Sequence, residues 1–111
     1  METEKPYTLA NIRADVSFHE ALFAATHNQS LACLAHVVIS TLQWAMVLQS
    51  QKDESAFRLA LSDHRRVRDA IAAGDADSAG ALMTALVIDS LHDTLEELRN
   101  WRNRQAQNAV E

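Results

Sequence analysis

The chain has 111 residues, enough for one domain with a small hydrophobic core, and a formal net charge of −5. The acidic balance excludes an overall basic surface suited to a nucleic-acid backbone, and the single cysteine excludes an intrachain disulfide. Two glycines and one proline, in a sequence that is 48% hydrophobic, are typical of all-α proteins.

The first half of the chain predicts two helices. The first covers residues 8–25, where apolar residues recur near helical spacing. A polar break follows, and either Asn28 or Ser30 is a candidate N-cap for a second helix over residues 31–49.

The second helix contains the longest apolar run of the sequence. His36 and Gln43 interrupt this run, which favours a buried core helix over a membrane span. Cys33 lies within it, has no activating partner nearby in the sequence, and is interpreted as a small buried hydrophobic residue. The single cysteine favours a reducing, cytoplasmic setting, no segment resembles a signal peptide, and we expect no membrane partner.

The second half predicts two more helices. A third helix over residues 54–73 ends at Gly74, which is suited to a left-handed C-terminal cap. Asp75 can then cap a long fourth helix over residues 76–104. The four helices predict an antiparallel helical bundle over residues 8–104, with flexible ends at 1–7 and 105–111.

An apolar stripe follows the second half of the fourth helix. Its members recur in steps of three and four, and they are Ile88, Leu91, Leu95, Leu98 and Trp101. This stripe extends beyond the reach of the third helix, so we predict that it forms the interface of a homodimer.

A polar group on the first helix has the spacing of a metal site. Asp15 and His19 are four residues apart, so their side chains share one helical face, and His64 on the third helix is a candidate third ligand. One carboxylate with imidazole nitrogens suits zinc, nickel or manganese. The same spacing is also that of an ordinary intrahelical ion pair, and this alternative stays open.

A fourth ligand is expected from the fourth helix at the level of His64. The hairpin geometry places Leu86 there, and a leucine cannot bind metal. Asp89, one turn further, is a candidate substitute, whereas His92 is expected on the surface or in an interface. Glu96 and Glu97 are interpreted as solvating charges.

Catalytic signatures are missing from the sequence. It contains no glycine-rich phosphate loop, no nucleophile elbow and no paired cysteines, so we do not expect an enzyme.

Two separate motifs resemble one protein family. The run Asp15-Val16-Ser17-Phe18-His19, followed by Leu22, Asn28 and Leu31, resembles one motif of the FadR C-terminal (FCD) effector-binding domain of GntR-family bacterial transcription regulators. A second run, from His64 through Val67, Ala70 and Ile71 to Gly74-Asp75, then Ala79 and Met83, resembles another motif of that domain.

The resemblance implies a non-catalytic sensor that binds a small organic acid, in many members through a divalent metal. The metal ligands would fall on Asp15, His19 and His64, and the effector would contact these residues and Asn28. The family's fourth ligand, a histidine, falls on Leu86. An open coordination position or a pocket that has lost its metal would each be consistent with this departure.

Two parts of the family pattern have no counterpart in the sequence, namely the winged-helix DNA-binding domain and the first effector-domain helices. We therefore expect no direct nucleic-acid binding by this chain alone, and a second copy is expected to cover the open side. An alternative hypothesis is a helical homo-oligomerisation protein with a degenerate pocket and no effector.

Overall fold

The computed structural model describes residues 8–49 and 54–110. Its elements are four α-helices, namely α1 (Leu9–Ala25), α2 (Gln29–Gln49), α3 (Glu54–Ala72) and α4 (Ala76–Val110). No strand occurs in these two ranges, which confirms the all-α class and the number of helices. The chain divides into one unit that contains α1 and α2 and another that contains α3 and α4. In each unit the two helices pack together.

The first unit begins at a side-chain cap. The hydroxyl of Thr8 accepts a hydrogen bond from the backbone N–H of Asn11 at 3.2 Å, which satisfies one of the free donors at the start of α1. The less exposed residues of α1 recur every three or four positions and so form one face. They include Ile12, Val16, His19 and Leu22. The buried residues of α2 are Ala35, Ile39, Ala45 and Met46.

The turn between α1 and α2 contains a backbone conformation that is rare outside glycine. His27 has a φ of 52°, in the left-handed region. Asn28 then accepts a hydrogen bond from the N–H of Leu31 through Oδ1 at 3.1 Å. Asn28 is therefore the N-cap, and α2 begins at Gln29, two residues before the predicted start.

The prediction that α2 is a buried core helix is wrong. Only four of its 21 residues are buried, and Cys33 is exposed instead of packed in a core. By length and composition alone, with a mean hydropathy of 1.8, α2 could cross a bilayer. The hydropathy of α2 did not predict its burial, because its own apolar residues lie on every side of the helix. Its neighbour α1 can cover only one of these sides.

The turn between α3 and α4 confirms the two predicted caps. Gly74 has a φ of 72°, the N–H of Asp75 donates to the carbonyl of Ala70, and the N–H of Gly74 donates to that of Ile71. These two bonds form a Schellman motif, which requires the left-handed residue. Oδ1 of Asp75 then accepts from the N–H of Ser78 at 3.1 Å and caps α4.

α4 is longer than predicted. It continues as a helix to Val110, six residues past the predicted end at Arg104. No glycine or proline follows Arg104, and residues 104–107 are good helix formers, so nothing local ends the helix there. The predicted flexible end at 105–111 is thus helical up to residue 110. The predicted end at 1–7 and the connector at 50–53 lie outside the described residues.

The covered face of α4 changes character along its length. Near the turn it is apolar, with Leu82, Met83 and Leu86 half-buried. Further along, most of the half-buried or buried residues at the same helical spacing are polar, namely Ser90, Asp93, Thr94 and Glu97, and Leu98 is the apolar one among them. The interpretation of Glu97 as a solvating charge is wrong, because its residue is 8% exposed. Charge alone suggested solvation, but position on the covered face decides exposure.

The predicted apolar stripe of α4 lies mostly in solvent. Ile88, Leu91, Leu95 and Trp101 are each between 44% and 54% exposed, and Leu98 is half-buried. The covered face of the second half of α4 is therefore mostly polar, while four of the five stripe residues are exposed.

Candidate metal centre

The first unit brings together Asp15 and His19. They lie one turn apart on α1, and Nε2 of His19 is 3.7 Å from Oδ1 of Asp15. Both side chains are largely shielded, with 9% and 15% of the His19 and Asp15 side chains exposed. The i,i+4 spacing places them on one helical face, as predicted from the sequence.

The Asp15–His19 distance suits a shared metal better than a direct hydrogen bond. At 3.7 Å it exceeds the usual hydrogen-bond range. Two ligand atoms bound at about 2.1 Å to one tetrahedral ion lie about 3.4 Å apart, so a small adjustment would accommodate a metal. The ring of Phe18 meets the His19 ring edge-on, with centroids 5.2 Å apart.

The second unit presents His64 in a defined orientation on α3. Nδ1 of His64 is 2.6 Å from the carbonyl oxygen of Ala60, one turn earlier. A carbonyl can only accept, so Nδ1 carries the proton and Nε2 of the neutral ring carries the lone pair. Nε2 is buried. Metal-binding histidines in proteins use the same arrangement, with the second ring nitrogen donating to a backbone carbonyl or carboxylate.

The donor set is one that divalent metals use. Asp15, His19 and His64 each offer one ligand atom, a carboxylate oxygen from the first and a ring nitrogen from each histidine. Zinc and nickel, which are borderline ions, and the harder manganese ion all bind mixtures of imidazole and carboxylate. The residues therefore fit a divalent metal in chemical type, in ring orientation and in low exposure.

The other predicted site residues lie in different surroundings. Leu86 is half-buried on the covered face of α4, whereas Asp89 and His92 are exposed. The exposure of Asp89 does not favour it as a substitute ligand. Asn28 is exposed and its Oδ1 caps α2, which gives this residue a structural role beside the predicted effector contact.

α3 carries a basic cluster of Arg65, Arg66 and Arg68, and all three residues are exposed to solvent. Arg68 pairs with Asp69 at 2.9 Å and Arg66 with Asp63 at 3.8 Å, and the arginine side chains are exposed. Sequence reasoning missed the carbonyl of Ala60 as the group that orients His64. The only sequence sign of this contact is the four-residue spacing that every helix offers, so it could not be distinguished in advance.

A comparison with known protein families shows to which family the chain belongs. The sequence pattern of the FCD domain matches residues 2–89, which is 88 of the 111 residues and includes Asp15, His19 and His64. The chain belongs to the FCD domain family. The resemblance drawn from the two motifs is confirmed, and the helical content of the structure is consistent with the FCD fold.

FCD domains are regulatory rather than catalytic. They are the effector-binding modules of GntR-type transcription regulators, and they act with DNA-binding partners and small-molecule effectors. No curated protein and no solved structure matches this FCD chain.

Proposed function

We propose that this FCD chain is the ligand-sensing and dimerisation module of a GntR-type regulator, and that it binds a small organic acid through a divalent metal. The family match supports the regulatory class. The orientation of His64 supports the proposal that the chain binds a metal, because a histidine whose Nδ1 donates to a backbone carbonyl presents Nε2 as a ligand atom.

Asp15, His19 and His64 hold the metal, and water or the effector completes the coordination. Leu86 supplies no fourth protein ligand, so positions of the ion remain open. A bound divalent cation would offer positive charge to the carboxylate of an organic acid. The i,i+4 spacing places Asp15 and His19 on one face of α1, and the carbonyl of Ala60 fixes the tautomer of His64.

The protein works as a homodimer in a cytoplasmic regulator. Its interface is the exposed apolar stripe of α4, made of Ile88, Leu91, Leu95, Leu98 and Trp101. Effector binding shifts the population between two arrangements of the subunits, and a DNA-binding partner reads this difference. The chain itself carries a net charge of −5 and does not contact DNA.

Elemental analysis of tag-free protein tests the metal. We expect about one zinc, nickel or manganese ion per chain after incubation and dialysis, and a near-complete loss in Asp15→Ala and His64→Ala. His92→Ala is the matched control, because His92 is an exposed histidine on α4. A wild type without metal, or an equal loss in His92→Ala, would contradict the proposed centre.

Thermal shift with short dicarboxylic and hydroxycarboxylic acids then tests the effector. We expect a rise in the unfolding midpoint with metal-loaded protein and no rise after chelation, because the acid binds through the ion. The same rise in His64→Ala would show that the acid binds elsewhere.

A second candidate function is a helical oligomerisation protein with a degenerate pocket. Leu86, where the family pattern has a histidine ligand, is the observation that favours it. This function predicts a stable oligomer that neither retains metal nor responds to acids, so the two experiments above separate the candidates.

A further inference from the structure

The imidazole of His19 lies against the phenyl ring of the residue before it. The ring centroids of Phe18 and His19 are 5.2 Å apart, and the two ring planes meet at 82°. Consecutive residues of a helix point about 100° apart and do not face each other. The contact therefore requires that the two side chains lean together, and helical spacing alone does not produce it. Rings in this geometry attract because the positive edge of one meets the negative face of the other.

The plane of the His19 ring depends on contacts of this kind. The outer torsion of a histidine side chain, χ2, has broad energy wells, so the rotamer alone does not fix the plane of the ring. The carboxylate of Asp15 does not fix it by a hydrogen bond, because Oδ1 lies 3.7 Å from Nε2. The perpendicular ring of Phe18 does restrict the plane, since turning the imidazole would lose the edge-to-face contact.

The plane of the imidazole decides where His19 can bind an ion. The lone pair of a neutral ring nitrogen lies in the ring plane, so a ring that turns carries the lone pair away from the ion. A group that orients a histidine before binding raises the affinity, because less freedom is then lost when the ion binds. For His64 that group is the carbonyl of Ala60, 2.6 Å from Nδ1.

We infer that Phe18 is the positioning residue of His19 and holds the plane of its imidazole before an ion binds. Phe18 supplies no ligand atom and acts only through His19. The effect on metal affinity rests on the proposed function, whereas the orientation of the ring exists in the metal-free chain and can be measured there.

Carbon-13 relaxation at Cε1 of His19 in the whole, metal-free chain tests the orientation. We expect an order parameter above about 0.8 in wild type and below about 0.6 in Phe18→Leu, which keeps an apolar side chain but has no ring. Phe18→Tyr keeps the ring and should restore the wild-type value. Phe18 is half-buried, so leucine should leave α1 intact, and circular dichroism verifies the helix content.

Competition with a chromogenic chelator measures the consequence for zinc. Phe18→Leu should bind zinc about three- to tenfold more weakly than wild type, and Phe18→Tyr should stay within about twofold. Phe57→Leu is the matched control, because Phe57 is a half-buried phenylalanine of α3 and the same ring is removed. Its zinc affinity should stay within about twofold of wild type even where urea denaturation shows an equal loss of stability.

A His19 ring that is as rigid in Phe18→Leu as in wild type would overturn the inference. An unchanged zinc affinity in Phe18→Leu, or an equal loss in Phe57→Leu, would overturn it as well. A wild type that binds no zinc would contradict the proposed function instead. The relaxation of the metal-free ring then decides by itself whether Phe18 positions His19.

Discussion

His27 adopts a backbone conformation that costs free energy for any residue with a Cβ. Its φ of 52° falls in the left-handed region, directly after the last residues of α1. Glycine occupies this region without the steric cost and is the usual residue after a helix end. Histidine at this position therefore lowers the stability of the first unit.

We expect His27→Gly to raise the free energy of unfolding by about 0.5 to 1 kcal/mol. Ala25→Gly, two residues earlier and within α1, should lower it by about 1 kcal/mol because glycine adds only chain entropy there. Urea denaturation measures both. A decrease in His27→Gly would mean that the imidazole makes contacts worth more than the backbone strain.

Asp75 makes the stability of α4 depend on pH. Its side chain and the N–H of Ser78 form the N-cap, and the hydrogen bonds from Ser78 hold the pKa of Asp75 below its usual 3.8. A lowered folded-state pKa means that the stabilisation is fully present above the unfolded value and is lost as the pH falls through the folded one.

We expect Asp75→Ala to lower the unfolding midpoint at about pH 6, and the gap to wild type to narrow as the pH falls through the lowered folded-state pKa of Asp75. Asp75→Asn keeps a neutral oxygen that can accept from Ser78 at every pH, so its midpoint should fall less on acidification. Thermal unfolding across this range measures the difference. A gap between wild type and Asp75→Ala that does not narrow at all on acidification would contradict the capping explanation.

The sequence allowed part of the candidate centre to be predicted. The i,i+4 spacing fixed the shared face of Asp15 and His19, because helix geometry leaves no alternative. The spacing could not show that Nδ1 of His64 donates to the carbonyl of Ala60, since rotamer and tautomer depend on the surroundings of the ring. It also could not show that Glu97 would be buried.

At the level of elements, most helix boundaries were predicted to within two residues, whereas the end of α4 and the exposed faces were not. Asn28 and Asp75 indicate the starts of α2 and α4, because an N-cap is a local interaction between a side chain and a nearby backbone N–H. The end of α4 at Val110 has no such local cause. The exposure of α2 was missed because a hydrophobic pattern does not distinguish a core from a surface awaiting a partner.

Val67 is the buried residue of α3. It is 1% exposed, whereas Ile71, one turn later on the same helix, is 48% exposed. We expect Val67→Ala to cost about 2 kcal/mol of stability, because it leaves a small cavity, and Ile71→Ala to cost under about 1 kcal/mol. Urea denaturation of the two variants measures the contrast. Similar losses would show that Ile71 is covered in solution.

At the level of the whole molecule, metal binding should stabilise the folded chain by an amount that grows with the logarithm of the ion concentration divided by its dissociation constant. An ion at 100 times its dissociation constant raises the free energy of unfolding by about 2.7 kcal/mol. The resemblance drawn from the two motifs predicts that the family's fourth ligand position falls on Leu86, which is half-buried on α4. A histidine there would add an imidazole to the three proposed ligands.

We expect Leu86→His to bind zinc at least about tenfold more tightly than wild type, because a further imidazole replaces a bound water. Leu86→Gln is the control, since it removes the same apolar side chain without adding a nitrogen ligand. Competition with a chromogenic chelator measures the affinities. Equal affinities in the two variants would mean that residue 86 does not face the ion.

α4 has 35 residues and α3 has 19, so α4 continues for 16 residues, about 24 Å, past the length that its neighbour can support. Such an overhang acts as a lever arm. A tilt of about 10° at the level of Glu54, where α3 begins, would carry Val110 through about 4 Å, about three-quarters of a helical turn. Small repacking inside the hairpin is thereby magnified, at the far end of α4, into a displacement large enough to change which side chains meet a neighbouring molecule.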